Sequence, residues 1–225
     1  MSLELGARLA THQLSTRTPW IAAGVGAAVV VLGGALEAAR EPAYAVDRTL
    51  LGIACGVVLP LFCYASFEAV HRRESSVALV APLARHGANR RSLALGVFAL
   101  LAACSALGAL LFCVFAVLAA RTHGDSGVAA ELFASAWSGA CIGLGYAGLF
   151  AFASRWGRAG RLWALAGDWL LGSGASLLAL PWPRAHARNL LGGDPVLDLP
   201  QFASALLLLT LAVAGPLLMA RRVPP

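Results

Sequence analysis

The sequence predicts an all-α integral membrane fold in a single transmembrane domain over residues 1–225, and three observations carry that prediction. Of its 225 residues 59% are hydrophobic and 12% charged, with a mean hydropathy of +0.76, far from the balance of a water-soluble domain. A hydrocarbon core about 30 Å thick needs about 20 apolar residues per helix, and runs of that length recur without internal charge clusters. Those runs are continuous and rich in Gly, Ala and Leu, whereas a lipid-facing barrel would alternate apolar and polar residues.

Six spans follow in order. Residues 1–19 read as an interfacial N-terminal segment, because Leu5, Leu9 and Leu14 interleave with Arg8, His12 and Arg17. That pattern suits a short helix on the membrane surface, with a disordered tail as the alternative. Pro19 and Trp20 open the first span, which runs to Ala39 and carries small residues at packing spacing, Ala22 with Gly26 and Gly34 with Ala38. The second covers Leu50 to Val70, with Pro60 expected to bend it. The third occupies Leu93 to Ala120, long enough to tilt or project. The fourth, Leu132 to Ser154, contains the helix-packing pair Gly139 and Gly143. Arginines 155, 158 and 161 with Trp156 and Trp163 make a basic, aromatic turn into the fifth span, Leu162 to Leu180. Residues 181–200 form an external, partly helical segment that contains RAHARNLL and a Gly192, Gly193 stop. The sixth span is Phe202 to Ala220, ending in Arg221 and Arg222.

All 17 basic residues are arginine. They cluster at the ends of apolar runs, the mark of membrane topology rather than of a groove for nucleic acid. The N-terminal segment, the loops after spans two and four, and the C-terminus hold twelve of them, against five in the other three loops. Both termini are therefore expected in the cytoplasm. Glu41, Asp47, Asp125, Glu131, Asp194 and Asp198 fall on the opposite side, in mild agreement. The N-terminus has no short apolar core with a small-residue cleavage site, so no removable signal peptide is expected.

Several chemistries lack their residues. The cysteines at 55, 63, 104, 113 and 141 lie inside apolar runs, where they read as small buried residues rather than metal ligands or disulfides. A rhomboid-like serine protease is missing its base: Ser138 follows Ala136 and Trp137, and no histidine lies within a span. The same absence disfavours a bis-histidine haem, since His12, His71, His86, His123 and His186 read as solvated loop or interface residues. With no lysine, the chain has no phosphate-binding loop. Glu37 and Glu68 stand near span ends and are expected to snorkel. Asp168 is the one carboxylate well inside an apolar run, a candidate intramembrane polar site. Its expected structural roles are pairing with Arg161 or with a neighbouring helix.

The longest polar interruption is residues 71–92, reading HRRESSVALVAPLARHGANRR from His71 to Arg91. Val77, Leu79, Val80 and Leu83 can offer an apolar face, while Arg72, Arg73 and Arg85 supply steering toward an acidic surface. The bland alternative is a loop lying on anionic head groups.

With its six spans, internal termini, loop helix and outer helical segment, the chain resembles the permease subunits of ABC-2 type ABC transporters. Glu74, Leu79, Val80, Pro82 and Arg85 are similar to the family's pattern before span three; Ser75 and Ser76 replace its usual Gly-Thr pair, and the lysine often found near span three is missing. The resemblance implies a permease of an ATP-driven exporter in a bacterial-type inner membrane. It implies that Glu74, Val77, Leu79, Val80, Pro82, Leu83 and Arg85 couple the chain to a cytoplasmic ABC ATPase. ATP and Mg would sit on that partner and no cofactor on this chain, and a second permease copy or paralogue would complete the path. The competing class is a non-transport membrane scaffold or an intramembrane enzyme with no recognisable site.

Overall fold

The computed structural model describes residues 2–72, 74–121 and 127–221. Arg73, His123, Asp125 and Arg222 lie outside the described residues. Among those described there is no strand, and ten α-helices follow one another, joined by turns and short 3₁₀ or π segments. Among the described residues five helical stretches are long and apolar enough to cross a membrane: Arg17–Arg40, Pro42–Ala84, Arg90–Ala120, Val128–Leu171 and Gln201–Ala220.

Helix α1 (Ser2–Leu14) does more than lie on a surface. A side chain at Gly6 would strike the backbone of Leu93, and one at Gly96 the backbone of Leu3, so α1 crosses the start of the third span backbone to backbone. Helix α2 (Arg17–Arg40) is the first span. Two of its glycines face the core, Gly26 against Val58 and Phe112 and Gly34 against Ala119. Ile21, Val25, Val29, Leu32 and Leu36 stay exposed along its length, a face suited to lipid.

The second span is not a single bent α-helix. After the short α3 (Ala45–Arg48), residues Thr49–Val58 wind as a π-helix and only Leu59–His71 (α4) is α-helical. Pro60 stands in the first turn of α4, where it has no N–H to give the carbonyl of Gly56. That carbonyl accepts instead from Arg184 Nη1 at 2.6 Å. The expected irregularity at Pro60 is thus spread over the wide-wound segment before it.

Arg72, in left-handed conformation (φ 45°), ends α4. Helix α5 (Ser76–Ala84) follows, capped by Ser75 Oγ, which accepts from Ala78 N. Asn89 Oδ1 caps α6 (Arg90–Ala120) at Ser92 N, 3.1 Å away. Helix α7 (Val128–Ala153) is the most enclosed span, and its glycines explain why. Gly139 lies 2.6 Å, by its missing Cβ, from Cys113 Sγ, Gly143 sits on the Ser105 carbonyl of α6, and Gly148 faces Gly215 and Leu211 of α10 (Gln201–Ala220). A methyl group at these positions would push the helices apart.

The fifth expected span needs correction. Helix α8 runs Gly157–Leu171, entered through Gly157 at φ 67° and ψ −149°, a conformation for glycine. It stops well short of Leu180. At roughly 1.5 Å per residue α8 is shorter than a hydrocarbon core of about 30 Å. The physical reason lies in Gly172, Ser173, Gly174 and Ser176, residues that favour turns over helix interiors. The chain then folds back through a 3₁₀ turn at Leu177–Ala179 into α9 (Pro183–Leu190), ended by Gly192 at φ 85°.

Candidate functional site

Two buried polar clusters sit on α8, about two turns apart. The first holds the base of α5. Arg161 is 0% exposed, and its Nε donates to Glu68 Oε1 of α4 at 2.6 Å. Its Nη1 donates to the Glu74 carbonyl at 3.3 Å and to Ser154 Oγ at 3.4 Å. Arg158 Nε lies 3.9 Å from the other Glu68 oxygen. Glu68 therefore does not snorkel to the interface, because its carboxylate is spent on an internal guanidinium. Glu37 is also held, 3.6 Å from Arg48.

His71 completes this cluster. Its Nδ1 donates to the Phe67 carbonyl at 3.0 Å, which leaves Nε2 to accept from Ser76 Oγ at 3.2 Å. The ring packs against both Phe67 and Phe98, 5.9 Å from each, and those two rings are themselves 6.1 Å apart, so the three form a triangle. Among the described residues His12 and His86 are exposed, but His71 and His186 are buried, which corrects the expectation of solvated histidines. The cause is local: both rings find a backbone carbonyl and a serine hydroxyl, so burial leaves neither nitrogen bare. Although His71 and Ser76 form a nucleophile-and-base pair on paper, they are 0% and 1% exposed, leaving no room for a substrate carbonyl.

The second cluster centres on Asp168. It does not pair with Arg161. Tyr146 of α7 donates to its Oδ2 at 2.7 Å, and the backbone N–H of Arg184 donates to its Oδ1 at 3.0 Å. Asp168 thus caps α9 and joins α7, α8 and α9 through one carboxylate, while the Arg184 side chain reaches on to Gly56 in the second span. Beyond it, Asn189 Nδ2 donates to the Leu199 carbonyl at 2.7 Å and to Ser204 Oγ at 2.9 Å, tying α9 to α10.

The residues singled out on the loop fall into two sets. Val80 is fully buried, and Val77, Leu79 and Leu83 pack against the chain's own core. The apolar face expected to meet a partner therefore points inward. Glu74, Pro82 and Arg85 are exposed. Helix periodicity could find the apolar face but could not say which body it would bury against. The sequence alone gives no role to Tyr146 or Arg184, and Ser76 enters it only as a departure from the Gly-Thr pair; an isolated tyrosine in an apolar run carries no partner signal. Among the described residues no group of three potential metal ligands is gathered.

No protein-family model, no curated protein and no solved structure matches this chain. Its class rests on its own helices, which are those of an all-α, multi-pass membrane protein.

Proposed function

We propose that the chain is the membrane-spanning permease subunit of an ATP-driven exporter of the ABC-2 type, set in a bacterial-type inner membrane with both termini cytoplasmic. In this reading α8 and residues 172–180 together make the fifth of six crossings, and a second permease copy or paralogue completes the path. The observation that carries the proposal is the anchorage of α5. Arg161 grips Glu68 of α4 and the Glu74 carbonyl at the foot of α5, and His71 holds Ser76, its first residue. A short helix at a bundle end, locked to α4 and α8 by buried bonds, moves only when the spans move. That is what transmission from a cytoplasmic ATPase requires. Its outer surface, with Glu74, Pro82 and Arg85, is the part available to such a partner, and the chemistry of ATP and Mg belongs to that partner.

The test is purification from cross-linked native membranes with identification of bound proteins. An ATPase bearing a Walker A motif should co-purify in stoichiometric amount and be lost from a Glu74→Arg, Arg85→Glu double variant. No such ATPase, or one that the double variant binds unchanged, overturns the reading.

A further inference from the structure

A cavity of about 400 Å³ lies between the π-helical segment of the second span and α9. One wall carries Gly52, Cys55 and Gly56; the other carries Ser173, Arg184 and Arg188. Gly56 is 15 positions before His71, which puts the cavity roughly 20 Å along the span from the foot of α5, towards the other end of the bundle. The two arginines are four residues apart on α9, so their side chains share a face.

Among the described residues neither charge is neutralised by a close buried ion pair, although the Asp168 carboxylate, which accepts from the Arg184 N–H, lies on the far side of that residue. Arg184 Nη1 donates to the Gly56 carbonyl and Arg188 Nη1 to the Ser173 carbonyl, bonds that orient a guanidinium without neutralising it. Among the described residues no carboxylate lies within ion-pair distance of the Arg184 side chain. Arg188 has Asp194 at 3.4 Å, but that carboxylate is 90% exposed and so largely screened. Each guanidinium has five donors in a planar fork, and these bonds occupy few of them. The opposite wall offers space: a Cβ at Gly52 would meet nothing within 4 Å.

We propose that Arg184 and Arg188, facing the glycine-bearing wall of the π-helical segment, form a binding site for a phosphate-class oxyanion. Two forks on one side of a cavity suit a tetrahedral group with several oxygens, since a carboxylate's two oxygens are satisfied by a single fork. The phosphate is either a free ion or the head group of a lipid whose chains lie along the bundle. The site stands whether or not the chain is a permease.

Thermal unfolding of the purified full chain in detergent tests this, with inorganic phosphate at constant ionic strength, dioctanoyl phosphatidylglycerol and dioctanoylglycerol as probes. A ligand at about ten times its Kd should raise Tm saturably by about 2–4 °C. Arg188→Gln should abolish the rise, as should Gly52→Asp, which sets a carboxylate in the open space; Gly52→Ala should retain it. A response to inorganic phosphate identifies the free ion as sufficient, and a response to phosphatidylglycerol alone identifies the head group. The site is overturned if neither phosphate compound raises Tm, if dioctanoylglycerol does so equally, or if the rise survives in Gly52→Asp. Should Arg188→Gln fail to fold, Gly52→Asp decides alone.

Discussion

Arg161 and Glu68 are 93 positions apart in the chain and share a hydrogen bond of 2.6 Å, with the guanidinium fully buried and the carboxylate side chain 18% exposed. This contact joins α8 to α4 directly beneath α5. A buried charge pair adds little net stability over an apolar pair of the same shape, because both ions lose their hydration. Breaking it on one side is another matter.

Glu68→Gln should therefore cost about 3–5 kcal/mol, since it strands the Arg161 charge in the interior. Arg161→Met should cost less, because Glu68 keeps some water and has Arg158 within reach. The double variant should recover most of the stability lost by Glu68→Gln. Denaturant or thermal unfolding of the three purified variants gives the coupling; additive losses would show that the pair is not the unit described.

Asp168 is held by two donors that an amide oxygen serves only in part. Asp168→Asn should cost about 1 kcal/mol, as it can still accept from the Arg184 N–H. Asp168→Leu should cost about 2–3 kcal/mol, because it leaves Tyr146 and the start of α9 without an acceptor. Release of α9 is read separately, by labelling of a cysteine introduced at exposed Asp194 and by proteolysis of residues 190–200. If α9 stays closed in Asp168→Leu, the cap is not what holds it.

His186 gives the fold a pH dependence. Its Nε2 donates to the Leu180 carbonyl at 2.7 Å and its Nδ1 lies 3.1 Å from Ser204 Oγ, from which the neutral ring accepts. Burial pushes its pKa below the ordinary histidine value, with the bond to Leu180 acting in the opposite direction. Between the lowered folded pKa and the unfolded value near about 6.5, the unfolded chain binds more protons. Stability is therefore full above about pH 6.5 and falls as the pH drops below it. A series of Tm values from pH 8 to about pH 5 should slope downward, and His186→Gln should flatten part of that slope. An unchanged slope in the variant would assign the effect to other groups.

Much of the fold was legible because a membrane imposes its demand locally. A helix in lipid must satisfy its own backbone and present apolar side chains, so spans one, two, three, four and six appear as runs of composition close to where α2, the π-helical segment with α4, α6, α7 and α10 lie. The fifth is helical only as far as Leu171, for a reason also visible in the sequence: Gly172, Ser173, Gly174 and Ser176 are too weakly polar to break a hydropathy window filled by the leucines at 170, 171, 177 and 178, yet too permissive to extend a helix.

By itself, then, the sequence determined the class of the protein, its apolar segments and the asymmetry of its arginines, since each depends on residues near one another in the chain. Only the tertiary structure decided how the polar residues are used. Glu68 meets Arg161, Asp168 meets Tyr146 and Arg184, and the apolar side of α5 meets the core. Those choices depend on which helices become neighbours, and helix packing, through Gly6 and Gly96, Gly143 and Ser105, Gly148 and Gly215, is a property of facing surfaces that no single segment contains.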